Sequence, residues 1–336
     1  MENSFASKRN ITYNTESVVI VPDLFQEDEF SDVRTLVRAY YLYFFIIESI
    51  LVIPTVFGNA LILLALVKYR ALRRVKAFLL VGNLAAADFL VGLVAIPMNL
   101  VSMASLRYSH SVQFCFWHVC IMYTSVLASV VNLFLLSLER FDAIVNPFCH
   151  HKLFTTRRVY FMMIFAWIVV GIFGFSPFYR NLPTASGDHY ECRTKTVFPS
   201  GYLTVFNVIT LICVLLSTSF FIFLVYIARN SLRKFTKTSR RLYRQKVKRE
   251  LRRTRNLLII SGIFIVCWAP YCIVSLVPSR DHTVLIAKSW LASLGVVNSS
   301  LNWVVFGVKS VSFRSAFKNI VTCACRRNRL QLEHSR

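Results

Sequence analysis

Two acids stand inside long apolar runs of this chain, and they are the first residues from which chemistry can be argued. An ionisable group within a hydrocarbon-crossing segment is costly and marks a functional position. Asp88 lies in Leu84-Ala85-Ala86-Ala87-Asp88-Phe89-Leu90, and Asn59, Ser129, Asn298, Ser299 and Asn302 lie at similar depth in other apolar runs. A carboxylate among hydroxyl and amide oxygens binds a small hard cation or holds a proton. The same set also reads as a hydrogen-bonded knot between helices. Glu48, the second acid, would attract a cation if it faces the bundle, or would be a glutamic acid kept protonated by desolvation. A third constellation joins Arg140, next to Glu139, with Glu250, the single acid among 13 basic residues over 229–255. Alone, Arg140 would snorkel to lipid headgroups. Clasped to Glu250 it would tie the ends of two helices, and breaking the clasp would let them part. Metal-type spacing, a phosphate loop and a nucleophile–base pair are missing from the sequence, so an enzyme is not expected.

The elements that must position these residues follow from composition. Of 336 residues 56% are hydrophobic and 16% charged, yet 39 Lys plus Arg against 16 Asp plus Glu leave a net charge of +23. A soluble domain this apolar could not cover its surface, and a disordered basic chain would not carry 29 Phe and 14 Tyr. Nucleic-acid binding is excluded because long stretches have no charge at all. Seven runs are long enough to cross about 30 Å of hydrocarbon as helices: about 40–67, 77–103, 113–138, 159–179, 202–228, 256–277 and 284–308. Pro54, Pro97, Pro177 and Pro270 fall inside runs and are tolerated there as kinks. The expected fold is an all-α membrane protein, a seven-transmembrane helix bundle over 40–308. A tail over 1–39 precedes it, and 309–336 holds a short amphipathic eighth helix over 312–322. A cleavable signal peptide is not expected, since the first run is too long and too late.

Charge then assigns the sides. Segments 68–76, 139–158, 229–255 and 309–336 hold 29 Lys plus Arg against Glu139, Asp142, Glu250 and Glu333, a net +25. The segments on the other side carry 10 basic and 10 acidic residues. The basic side is cytoplasmic, which puts the N-terminus outside and the C-terminus inside. The sequon Asn10-Ile11-Thr12 agrees with this orientation, making Asn10 a glycosylation candidate. Cys115 and Cys192 both fall outside, where a bridge would tie a loop across the mouth of the bundle; two unpaired thiols are the alternative. Cys120, Cys213, Cys267 and Cys272 read as apolar packing residues. Cys323 and Cys325, beside the inner membrane face, are palmitoylation candidates or plain reduced thiols.

One set of residues carries a family resemblance. Gly58-Asn59, Leu84 to Asp88, Cys115, Glu139-Arg140-Phe141, Trp167, Tyr226, Phe264 with Cys267-Trp268-Ala269-Pro270, and Asn298 to Asn302 occur in this order along the predicted spans. Over about 40–322 the chain resembles a rhodopsin-like (class A) G-protein-coupled receptor. The resemblance implies a plasma-membrane receptor that binds an extracellular ligand and activates a heterotrimeric G protein by outward movement of the sixth helix. It implies that Trp268 senses the ligand, that Pro270 and Phe264 serve the swing of that helix, and that Arg140 meets the G protein. It further implies an allosteric Na+ at Asp88, Ser129, Asn298, Ser299 and Asn302. Departures are Asn302-Trp303-Val304-Val305-Phe306 for the family's Asn-Pro-x-x-Tyr, Glu139-Arg140-Phe141 for Asp-Arg-Tyr, and Thr218 at the fifth-span proline position. Losing the proline removes a kink, and losing the tyrosine hydroxyl removes a bond toward Tyr226, which fits either a receptor of altered basal activity or a divergent lineage.

The candidate ligand rim is Glu48, Asn99, Met122, Tyr123, Val126, Asn207, Thr210, Tyr271, Ser275, Lys288 and Ala292, mostly apolar with a few polar handles. It suits a small molecule or a short peptide. Retinal is not expected, because the Schiff-base position is Val296 and Lys288 lies about two turns away. A biogenic amine would lack its usual third-span aspartate, replaced here by Met122. Covalent cofactors are not expected; the remaining partner is membrane lipid. From another class, a seven-helix channel or transporter would place Asp88 on the permeation path.

Overall fold

The seven apolar runs fold as seven helices long and apolar enough to cross a membrane: Leu42–Lys68, Lys76–Ala104, Val112–Ile144, Thr156–Gly174, Gly201–Ile227, Leu257–Leu276 and Ile286–Lys309. The computed structural model describes residues 31–105, 111–145, 154–176, 197–198, 200–234, 241–277 and 282–334. Within these helices the side chains of 31–41, 145, 200, 228, 231–256, 282–283, 285 and 323–334 are outside the description. The full helices are α1 Ser31–Lys68, α2 Lys76–Ala104, α3 Val112–Val145, α4 Thr156–Gly174, α5 Ser200–Lys234, α6 Arg241–Leu276, α7 His282–Lys309 and α8 Val311–His334. The helix α8 is longer than the expected 312–322.

Two boundaries differ from expectation for local reasons. The third span extends past residue 138, because Glu139 and Arg140 neutralise one another inside the bundle and the helix continues through them. The fourth stops at Gly174, short of 179, since a residue preceding proline avoids the helical region and Pro177 follows closely. Its start is set by Thr155, whose side chain accepts the Arg158 N–H at 3.3 Å. In α2 a π-helical turn, Val91–Ala95, precedes Pro97. Proline offers no N–H and crowds the preceding turn, and the widened turn accommodates both defects.

Helix α3 is the hub, packing on α2, α4, α5 and α6, while α7 closes the ring against α1 and α6. The exposed faces are apolar, as on α1 (Ile50, Ile53, Phe57, Leu64) and α4 (Phe161, Ile164, Phe165, Ile168). Lipid replaces water as the outer solvent, so polar residues collect inside, where backbone and side chains can satisfy them. The chain is a multi-pass membrane protein.

Candidate functional site

At mid-bundle the structure gathers all five residues expected around the intramembrane aspartate. Asp88 on α2 is completely buried, and Asn302 Nδ2 on α7 donates to its Oδ2 at 2.6 Å. The Ser129 hydroxyl on α3 donates to the Ser125 carbonyl at 3.2 Å, and Ser129 and Ser299 are both buried against the cavity beside this centre. Asn59 ties α1 in, donating to the Thr55 carbonyl at 2.9 Å and the Ser299 carbonyl at 3.0 Å. Asp88 Oδ1, Asn298 Oδ1 and Asn302 Oδ1 are buried without hydrogen-bond partners. Three orphaned oxygens, one anionic, are the donor set a small hard cation takes. The residues present therefore fit Na+.

Next to this centre lies a small cavity lined by Met122, Ser125, Val126, Ser129, Phe264, Trp268, Val296 and Asn298. Trp268 stacks on Phe264 at 6.1 Å and meets Tyr271 edge-on at 6.0 Å. Its indole lies directly on the α7 backbone at Gly295, where a Cβ would collide with the ring. The glycine is needed for that close approach. Pro270, two residues on, lies inside α6.

At one end of α3, Arg140 is 1% exposed and donates from Nε and Nη2 to Glu139 at 2.5 and 2.6 Å. Phe141 beside it meets Phe220 of α5 at 5.3 Å. Glu250 lies on α6, but its side chain is outside the described residues. Tyr226 takes no part in this end of the bundle. It is 63% exposed on the outer face of α5, turned away from buried Arg140. The residue that would hold its hydroxyl inward is Phe306, which has none. Phe306 is instead 3% exposed in an aromatic cluster with Phe313 of α8 at 5.4 Å, itself 5.0 Å from Phe78. Trp303, in place of proline, lays its indole where a Cβ on Gly58 would stand, locking α7 to α1.

Toward the Cys115 end the expected rim divides. Tyr123 and Tyr271 share a hydrogen bond at 3.2 Å, and Tyr123 packs on Phe206 at 4.7 Å. Met122 and Val126 line the cavity. Asn207 and Thr210 are buried on α5, with Asn207 Oδ1 and Thr210 Oγ1 unpartnered. Glu48 faces the bundle and accepts from Asn99 Nδ2 at 2.7 Å. Ser275 and Ala292 are half-buried, while Lys288 donates to the Val277 carbonyl at 2.9 Å, between the ends of α6 and α7. Cys115 is in a disulfide; Cys192, Asn10 and the side chains of Cys323 and Cys325 lie outside the described residues. The thiols of Cys120, Cys213, Cys267 and Cys272 are free. Among the described residues no group of three or more His, Cys, Asp or Glu gathers as a metal set.

Sequence reasoning missed one polar network. Trp167 Nε1 on α4 donates to Asn83 Oδ1 at 2.8 Å, and Asn83 Nδ2 on α2 donates to Asn132 Oδ1 on α3 at 2.6 Å. Asn132 Nδ2 ends the chain on the Ala128 carbonyl at 2.8 Å. The signal available was two amides inside apolar runs at matching depth. A second miss is the Thr218–Ser261 hydroxyl pair at 2.5 Å between α5 and α6.

Comparison with known proteins bears on this geometry. A family model described as 7 transmembrane receptor (rhodopsin family) matches residues 58–306. The histamine H2 receptor of Cavia porcellus is 28% identical over 291 residues, 83% of this chain and 79% of the relative. The D(5)-like dopamine receptor of Takifugu rubripes is 27% identical over 312 residues, 82% of this chain and 65% of the relative. The 5-hydroxytryptamine receptor 2 of Aplysia californica is 23% identical over 316 residues, 83% and 75%.

Proposed function

Since the chain belongs to the rhodopsin family of seven-transmembrane receptors, we propose that it couples a small extracellular amine to a heterotrimeric G protein. The amine binds at the Cys115 end, which faces outside the plasma membrane; the G protein engages the Arg140 end, on the cytoplasmic side. Histamine, dopamine and 5-hydroxytryptamine, named in three relatives, are all small amines, which supports this ligand class. The observation that carries the coupling is the buried Arg140–Glu139 pair at 2.5 Å. An arginine 1% exposed cannot meet a partner until the helices around it part. α6 carries both Trp268, at the cavity, and the segment that must move at the other end. Motion of the Trp268 indole over Gly295 is thereby transmitted along one rigid helix with Pro270 as its hinge. Glu250 is proposed as the second clasp on Arg140.

Na+ is proposed to sit on Asp88 with Asn298, Asn302 and the two serines, where it supplies a positive charge that holds α2, α3 and α7 together. A ligand state that closes this centre excludes the ion, so sodium opposes agonist binding.

The experiment is nucleotide exchange on G proteins in membranes holding the full chain or its Arg140→Ala variant. Exchange by the wild type and its loss in the variant are expected. Ion flux with no exchange on any G protein would overturn the reading in favour of a channel or transporter.

A further inference from the structure

A protonated amine entering an apolar bundle needs an anion at contact distance, because an ion stripped of water and left unpaired is strongly disfavoured. The described membrane spans contain four acids: Glu48, Asp88, Glu139 and Asp142. Glu139 is committed to Arg140 at 2.5 Å, and Asp142 lies two residues further in the same direction. Asp88 is at mid-bundle, held by Asn302 at 2.6 Å. That leaves Glu48 as the acid of the Cys115 half within the described membrane spans.

Its placement is specific. Glu48 is 11 residues from Asn59 along α1, and Asn99 is 11 residues from Asp88 along α2. Both displacements run toward the Cys115 end, about 16 Å or three turns. Glu48 and Asn99 therefore meet one tier above the Asn59–Asp88 tier, where Asn99 Nδ2 donates to Glu48 Oε2 at 2.7 Å. Glu48 is 2% exposed, and Asn99 is its sole hydrogen-bond partner among the described residues. A neutral amide supplies one dipole and no counter-charge, which leaves a buried carboxylate undercompensated. Asn99 itself is half-buried, so the pair is within reach of the bundle mouth. Close in sequence to the pair, Leu51 and Leu100 belong to an apolar cluster with Val91, Met122 and Val296. Val91, Met122 and Val296 also wall the Trp268 cavity, so cluster and cavity adjoin. Met122 on α3 offers no charge.

We propose that Glu48 is the counter-ion of the ligand's ammonium group, oriented by Asn99 between α1 and α2, with the ligand body lying over Met122 and Val296 toward Trp268. The proposal rests on the receptor reading above and assigns the cation to α1. Asn99 is a positioning residue.

The test is saturation binding of tritiated histamine, dopamine and 5-hydroxytryptamine to membranes holding the full chain, at matched surface expression. At least one should bind saturably, weaken about a hundredfold or more in Glu48→Gln, and recover to within about tenfold in Glu48→Asp. Asn99→Ala should weaken it about tenfold, the effect of losing one hydrogen bond to a charged group. On wild-type receptor, the N-acetylated form of the same amine, which carries no charge, should bind about a hundredfold or more weaker. This arm decides the matter if Glu48→Gln does not reach the surface. Equal affinity in wild type and Glu48→Gln, equal affinity for the amine and its N-acetyl form, or saturable binding of none of the three overturns the proposal. Failure here with exchange still lost in Arg140→Ala leaves the receptor reading intact. Glu48-dependent amine binding with no G-protein response sinks coupling instead and leaves this site standing.

Discussion

The two ends of the bundle treat buried polarity differently. Toward Arg140, most described polar side chains are matched: Arg140 with Glu139 at 2.5 Å, Asn83 with Asn132 at 2.6 Å and Trp167 at 2.8 Å, with Ser217 Oγ and Trp303 Nε1 the exceptions. Around them runs the largest apolar cluster, from Leu61 and Phe78 to Phe264 and Phe313. From mid-bundle toward Cys115, buried polar atoms stand without partners: Asp88 Oδ1 and Asn298 Oδ1 at the centre, then Thr124 Oγ1, His118 Nδ1, Asn207 Oδ1 and Thr210 Oγ1. A buried polar atom left unpaired costs about 1–3 kcal/mol. A fold that pairs its charges at one end and leaves more of its polar atoms open at the other is arranged to be completed by ligands at the open end and to store a closed state at the matched end.

The sharpest way to break this contrast is to strand a charge at the matched end. Glu139→Ala leaves Arg140 buried without its adjacent carboxylate, a change that costs about 3–5 kcal/mol when a buried ion pair loses one partner. The expected outcome is a large fall in melting temperature of the purified receptor together with raised ligand-free nucleotide exchange, since Arg140 is released. An unchanged melting temperature would show that the matched end does not depend on this pair.

The next effect concerns packing. Gly58→Ala drives a methyl into the Trp303 indole, and overpacking of this kind costs about 1–3 kcal/mol. Trp303→Leu in the same chain should restore most of the loss, and a thermal-melting double-mutant cycle reads the coupling directly. Additive losses would mean that Gly58 and Trp303 act separately.

This pair also marks the limit of what the sequence conveys. The spans were legible because a membrane-crossing helix must be apolar over about 20 residues, so their existence is written locally. Asp88 and its five oxygen-bearing neighbours were legible because polarity inside such a run is rare. Trp303 was legible only as a missing proline. That its ring would fill the space beside Gly58 depends on the approach of two helices some 240 residues apart in sequence, and no local pattern encodes that distance. The outward turn of Tyr226 was hidden for a related reason. Position within an apolar run does not say which face of α5 meets the bundle, and the inward partner at Phe306 is spent on Phe313, a residue of another helix.

At the open end the corresponding change should be mild in stability and strong in ligand response. Asp88→Asn removes the charge without leaving an opposite charge unpaired, so the melting temperature in sodium-free buffer should shift by the equivalent of less than about 1 kcal/mol. Amine affinity should lose its dependence on sodium, measured by binding in sodium and in an impermeant organic cation at equal ionic strength. If wild type and Asp88→Asn respond equally to sodium, the ion does not sit on Asp88.

The smallest effect probes whether the matched end is matched for restraint or merely for solvation. Thr218 occupies the fifth-span position where the family resemblance leads one to expect proline, and its hydroxyl meets Ser261 of α6 at 2.5 Å. A proline there would break the α5 backbone ladder, whereas threonine keeps the helix and adds a side-chain link to the helix that must swing. Thr218→Val keeps the shape and deletes the link, costing about 0.5–1.5 kcal/mol, the net worth of one hydrogen bond. If the link restrains the closed state, the loss falls on that state alone, and ligand-free exchange rises by about two- to tenfold, with amine affinity increased by a similar factor. If the link is equally present in both states, stability falls and exchange is unchanged. The two outcomes separate a hydrogen bond that holds a switch from one that only satisfies two buried hydroxyls.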